Sequence, residues 1–214
     1  MMKIALIGAT GFVGKELLNE AVNRGHQVTA LVRNVDKVEK RDGVTAVKAD
    51  AQNAAGLAAA LEGHDIVISA YNPGWNEPDI RQIHIKASQA ITDATRQAGL
   101  KRLIVIGGAG SLYAEDGTQF VDGAHFPAAY KEGALGARQA LDDLRKVTDL
   151  DWTFVSPPFQ LEPGARTGKY RLGGEHPVFD ADGKSAISAA DLAVAILDEA
   201  ETPRHVQARF TAAY

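Results

Sequence analysis

Cysteine is absent from all 214 residues. That single absence removes disulfides, thiolate metal sites and thiol nucleophiles together, makes metal binding unexpected, and fits a reducing compartment. No apolar stretch approaches the ~20 residues needed to cross a bilayer, and no charged-then-apolar leader precedes the first apolar run. The expected location is therefore cytoplasmic. No polybasic run occurs and the net charge of -4 is mild, so neither nucleic acid nor an anionic membrane is indicated as a partner. Internal repeats and low-complexity segments are also missing. The length suits one domain spanning residues 1–214, able to bury about 70% of the surface its unfolded chain would expose.

What the chain does have is a glycine-spaced turn near its start. Lys3 to Ile7 is a short apolar run, followed by Gly8-Ala9-Thr10-Gly11-Phe12-Val13-Gly14 and then an amphipathic pattern. A residue without a Cβ at Gly8 permits a tight reversal and close approach of backbone to a ligand. Gly11 leaves space for a pyrophosphate, and Gly14 lets the new helix lie close to the sheet. Unpaired N–H groups and the positive dipole end of that helix would face the phosphates. In a chain with 21 glycines the spacing alone is weak evidence. The preceding strand, the following helix and a second strand at Val28 to Val32 make it a nucleotide-site signature.

Apolar runs separated by helical segments continue along the chain. Val13, Leu17, Leu18, Ala21 and Val22 give a helix from about Phe12 to Arg24, stopped by Gly25. Further strands are expected at Thr45 to Ala49, Asp65 to Ser69, Arg102 to Ile106 and Trp152 to Val155. Helices are expected at Ala54 to Leu61, at Ile80 to Ala98 before Gly99, after Pro127 with Leu135, Leu141, Leu144 and Val147 inward, and at Ala189 to Ala200. This alternation predicts an α/β fold, a doubly wound parallel sheet with right-handed crossovers and helices on both faces. Ligands of such sheets bind at the carboxyl ends of the strands.

Several candidates lie at those ends. Arg33 follows the second strand about 20 residues after the turn, where an arginine accommodates a 2′-phosphate and an acidic residue would bond a ribose 2′-hydroxyl. NADP(H) is thus expected over NAD(H), with nearby Lys37 adding charge; the alternative makes Arg33 a solvated charge and gives the ribose to Asn34 or Asp36. Asp50 and Ala51 follow the third strand, positioned either for the adenine edge or, for Asp50, as a cap or near-cap of the next helix. Ala70 and Tyr71 follow the fourth and should lie along the cofactor's ribose. The fifth strand runs into Gly107-Gly108-Ala109-Gly110-Ser111, read as backbone against ligand. Leu112 to Phe126 is irregular and long, as expected of a lid or substrate loop. His84 reads as a core residue beside the helical seam, His125 as exposed, and His205 and Arg209 as surface or strand-pairing residues.

These segments, with Leu31-Val32-Arg33, Trp152 to Pro158 and Ile187 to Ala193, resemble the atypical branch of the short-chain dehydrogenase/reductase superfamily over essentially the whole chain. That branch holds biliverdin/flavin reductase-like enzymes, relatives of nitrogen-metabolite-repression regulators, and proteins labelled NAD-dependent epimerase/dehydratase. The resemblance implies a Rossmann fold, NADP(H), and a substrate held between the glycine-rich edge and the C-terminal part. We expect residues of about 157–188 to form a small cap over the cofactor.

One departure matters for the chemistry. The wider superfamily pairs a tyrosine with a lysine four residues later, which lowers the phenol's pKa. Here Tyr130 is followed at that spacing by Ala134, and the adjacent Lys131 diverges by roughly 100° on a helix. Tyr130 is then a weak proton donor, a substrate contact or an aromatic packed at the helix start, and Ser111 either orients an acceptor or serves the turn. These two are the catalytic candidates. The leading expectation is an NADP(H)-dependent reductase of a small flat or carbonyl-bearing acceptor such as a flavin or quinone, acting as a monomer or small homo-oligomer. The rivals are a cofactor-binding redox sensor that engages a protein partner, and, less well supported, a sugar-nucleotide epimerase.

Overall fold

The computed structural model describes every residue, Met1–Tyr214. Its framework is an eight-stranded sheet built from β1 (Lys3–Ile7), β2 (Gln27–Val32), β3 (Val44–Lys48), β4 (Ile66–Ser69), β5 (Arg102–Ile106), β6 (Asp151–Ser156), β8 (Arg171–Gly173) and β10 (Ala208–Ala213). Their spatial order is β3-β2-β1-β4-β5-β6-β10-β8. All neighbours are parallel except β8, which runs antiparallel to β10 at the edge. Two short strands, β7 (Gln160–Glu162) and β9 (Ala186–Ser188), pair separately.

Strand periodicity divides the core. Along β1, Ile4 and Leu6 join one apolar cluster with Leu17, Leu192 and Phe210, whereas Ala5 and Ile7 join another with Ile91, Leu103 and Phe154. Helices α1 (Phe12–Asn23) and α5 (Ala189–Glu201) cover the first face; α2 (Ala54–Leu61), α3 (Ile80–Gln97) and α4 (Ala128–Leu144) cover the second. Because β1 is buried on both sides, its sequence is a continuous apolar run rather than an alternating one. Each side chain so buried contributes about 1.5–3 kcal/mol.

The glycine stops work as their positions predict. Gly25 and Gly99 adopt positive φ, 79° and 71°, just past α1 and α3. After each, the next N–H returns to the helix: His26 donates to the Ala21 carbonyl and Leu100 to that of Thr95. These paired bonds satisfy the last carbonyls.

Three expectations change. The buried face of α4 is Gly133, Ala134, Gly136, Ala137, Ala140, Leu141 and Leu144, while Leu135 is only half-buried. Small residues let α4 sit close to α3: a Cβ on Gly136 would lie 3.0 Å from the His84 Cβ. Apolar size alone therefore misplaced Leu135. Asp50 is not the cap of α2, because Asn53 takes that role by accepting from the Gly56 N–H at 3.0 Å. The third concerns residues 157–188, which are not one cap. Pro157, Pro158, Phe159 and Leu161 border the cleft, but residues 166–170 cross the opposite layer, where Arg166 bonds Glu20 and Tyr170 bonds Asp198.

Candidate active site

Strand order reverses beside β1, and the carboxyl ends of β1, β2, β4 and β5 open there into a cleft of about 1240 Å³. That exceeds the roughly 300–1,000 Å³ of an ordinary small-molecule pocket. It has room for more than one ligand.

Its floor is the opening turn. Gly8 has φ +81°, and a Cβ there would meet the Ala70 carbonyl oxygen at 2.7 Å. The Gly11 N–H donates to the Gly8 carbonyl at 2.9 Å, and Lys15 closes the first helical bond onto Gly11 at 3.0 Å. A Cβ on Gly14 would lie only 2.1 Å from the Gly8 oxygen, so this helix approaches its own strand more closely than any other residue allows. No side chain caps α1, as none caps α3 or α4; what sets α1 apart is that its first turn borders the cleft at the end of β1. The N–H groups of Phe12, Val13 and Gly14 are thus left for an outside acceptor. Thr10, Phe12 and Val13 border the cleft directly. This cradle fits the diphosphate of a dinucleotide.

The remaining cofactor candidates surround that floor. Arg33 is exposed at the end of β2 and borders the cleft. Asn34 instead turns its carbonyl oxygen onto the Asp36 N–H at 2.9 Å, capping the short turn Val35–Lys37. Asp50 accepts from Gln52 N–H at 2.9 Å while also bordering the cleft beside buried Ala51. Ala70 and Tyr71 form the wall after β4. Burial pushes the Tyr71 phenol up, an effect the Arg33 charge partly opposes. Gly107 borders the cleft as well, but its lack of a side chain serves packing: a Cβ would lie 1.9 Å from the Phe154 ring. Gly110 likewise leaves room for the Ala134 methyl, 2.9 Å from a Cβ built there. The glycine-rich loop is shaped as much by its neighbours as by a ligand.

Of the two catalytic candidates, Tyr130 reaches the cleft and Ser111 does not. The Ser111 hydroxyl is buried and accepts from Arg209 at 2.9 Å, as does its carbonyl. Arg209, only 4% exposed, is held in turn by the Glu175 carboxylate and stacks over Tyr113. Burial lowers the Arg209 pKa, with Glu175 opposing that shift. Of the two readings for Arg209, strand pairing holds and surface exposure does not: in β10 it pairs with Phe154 of β6, and its side chain braces the glycine loop, with Ser111 part of that brace. Tyr130 is half-exposed at the start of α4, its ring edge-on to Trp75 with centroids 5.0 Å apart and planes at 78°.

Sequence reasoning missed the cleft's aromatic lining. Trp75, Phe120 and Phe159 all border it, and Phe120 and Phe159 meet edge to face at 4.6 Å. A usable signal was present. Trp75 sits in the polar stretch Asn72 to Asn76 immediately after β4, at the sheet edge where ligands bind.

Comparison with known proteins agrees with this geometry. The NAD(P)H-binding family profile matches residues 8–203. The uncharacterized YwnB of Bacillus subtilis is 39% identical over 98% of this chain and 97% of its own. A Burkholderia pseudomallei structure, described provisionally as an exported protein, superposes over the full length of both chains at TM-score 0.90 and 46% identity. One from Streptococcus pneumoniae, described provisionally as an NADH-flavin reductase, covers 100% of this chain and 99% of its own at TM-score 0.86 and 37% identity. Other similar structures carry epimerase or NAD-dependent epimerase/dehydratase descriptions. No helix is long and apolar enough to cross a membrane. The chain belongs to the NAD(P)H-binding family of Rossmann-fold, oxidoreductase-like proteins.

Proposed function

We propose that this protein is an NADPH-dependent reductase of a flat acceptor, a flavin or a quinone. The observation that carries the reading is that one cleft is bordered both by the glycine turn and by two aromatic pairs, which we take as the acceptor chamber. Trp75 and Tyr130 form one wall of that chamber, and Phe120 and Phe159 another. Exposed aromatic rings otherwise have little reason to gather in one concavity. Rings in this setting offer offset or edge contacts to a planar molecule.

Arg33 supports the choice of NADPH. It is exposed at the end of β2 where a 2′-phosphate would lie, and Asn34 is occupied in its own turn. When bound by the glycine turn, NADPH would supply a hydride to the flavin or quinone, and the one further proton would reach the reduced acceptor from solvent at the open rim of the cleft. The chain's residues orient the two partners and exclude water. Such an acceptor requires no dedicated acid. This suits a site in which Ala134 stands four residues after Tyr130 and packs against Gly110, and it disfavours sugar-nucleotide epimerisation. The provisional NADH-flavin reductase description of the Streptococcus pneumoniae relative supports a flavin acceptor, while naming NADH as that protein's cofactor.

Following NADPH oxidation at 340 nm with riboflavin, FMN and menadione tests this. Saturable turnover with at least one of them, faster with NADPH than with NADH, is expected. Tight cofactor binding with no turnover of any acceptor would overturn the reductase reading and favour the redox sensor.

A further inference from the structure

Five of the chain's six histidines have an ordinary explanation. His26, His64, His176 and His205 each hydrogen-bond within the chain, and His125, which also borders the cleft, is exposed to solvent at its rim. His84 differs. It is 6% exposed on α3, neither ring nitrogen is hydrogen-bonded within the chain, and it borders the cleft. Its ring nitrogens are not among the fully buried polar atoms that lack a partner, so they are open to the space of the cleft rather than sealed in the core.

Its surroundings explain how it reaches the cleft. His84 lies one helical turn beyond buried Ile80, facing α4 where Gly136 permits close approach. Gly133, Ala134 and Ala137 of α4 also border the cleft, so small side chains leave the imidazole a path into the aromatic chamber. Burial lowers its pKa to about 4. At neutral pH the ring therefore carries one N–H donor and one acceptor nitrogen.

We propose that His84 is the polar anchor of the acceptor chamber, its unpartnered imidazole hydrogen-bonding a carbonyl or ring nitrogen of the bound flat molecule. The identity of that molecule rests on the reductase reading; the anchoring role rests on the cleft and the orphaned ring. His84 is not the proton donor of a tyrosine and lysine pair moved elsewhere. It is a residue that determines which acceptors bind and in what orientation.

The test is a titration of the NADP⁺-loaded protein with riboflavin and with menadione, for wild type, His84→Phe and His84→Gln, beside the dissociation constant for NADPH. His84→Phe should weaken acceptor binding and raise KM about tenfold, His84→Gln should stay within about threefold of wild type, and NADPH affinity should be unchanged in both. The ring-nitrogen NMR shifts of His84 in the wild type should move as riboflavin saturates, a readout independent of how the variants fold. Equal acceptor affinity in all three proteins, unmoved ring-nitrogen shifts, or a wild type that binds neither acceptor would overturn the proposal. His84-dependent acceptor binding without NADPH oxidation would leave it standing while removing the reductase reading.

Discussion

At Gly14 a single hydrogen decides whether the cradle can form. Because a Cβ would come within 2.1 Å of the backbone oxygen of Gly8, Gly14→Ala must separate α1 from β1. That strain costs about 1–3 kcal/mol, visible as a lower urea midpoint with an unchanged slope, and NADPH binding should weaken at least tenfold. Wild-type stability and affinity in that variant would show that the turn has slack the geometry denies. Arg33 makes a separable prediction. Arg33→Ser should lose about 1.5–3 kcal/mol of NADPH binding, the worth of hydrogen bonds to a charged group, and leave NADH almost untouched; parallel titrations of the two cofactors check it. Both positions were legible in the sequence, Gly14 from the backbone shape the turn requires and Arg33 from its place at a strand end, where it borders the cleft. It did not show the fate of Ser111, since the partner that captures its hydroxyl, Arg209, stands 98 residues away.

Elements were legible where local chemistry sets them. The bounds of β5 and α2 follow from their residues, and Gly25 and Gly99 end α1 and α3 as their positions require. Legibility failed for α4, whose inward face is chosen by the closeness of α3 rather than by side-chain size, so Leu135 reads as core and is not. It failed again for residues 164–170, whose place is fixed by long-range polar bonds. The key to that strap is Asp191 in the first turn of α5. Its carboxylate accepts the Thr167 and Gly168 N–H groups, each at 2.7 Å, the Thr167 hydroxyl at 2.6 Å and the Tyr214 hydroxyl at 2.7 Å. Burial raises its pKa, but these bonds together outweigh that and hold the carboxyl below its ordinary 3.8. A folded-state pKa depressed in this way adds stability that is fully present above the unfolded value and fades as pH falls through the folded one. Asp191→Asn should therefore cost about 1.5–3 kcal/mol at pH 7. Urea melts at a series of pH values should show the gap from wild type closing below about pH 4. A gap independent of pH would mean the carboxylate charge is not what holds the strap.

For the whole molecule, strand order places the glycine cradle and the aromatic chamber in one cleft at the reversal beside β1. The apolar runs and helical spacings made six of its strands readable in advance, but not β10 or the antiparallel edge strand β8. The aromatic chamber was not, because Trp75, Phe120, Tyr130 and Phe159 come from four separate stretches and meet only when the sheet is assembled. NADPH that binds the native state alone should raise the unfolding free energy by about 2.7 kcal/mol at a hundredfold excess over its dissociation constant. Calorimetric titration of the wild-type protein with NADPH and with NADH tests the central claim most directly. One NADPH per chain, bound at least tenfold more tightly than NADH, is the predicted result. Heat from neither nucleotide would contradict the account at its foundation, and tighter binding of NADH would contradict the role given to Arg33.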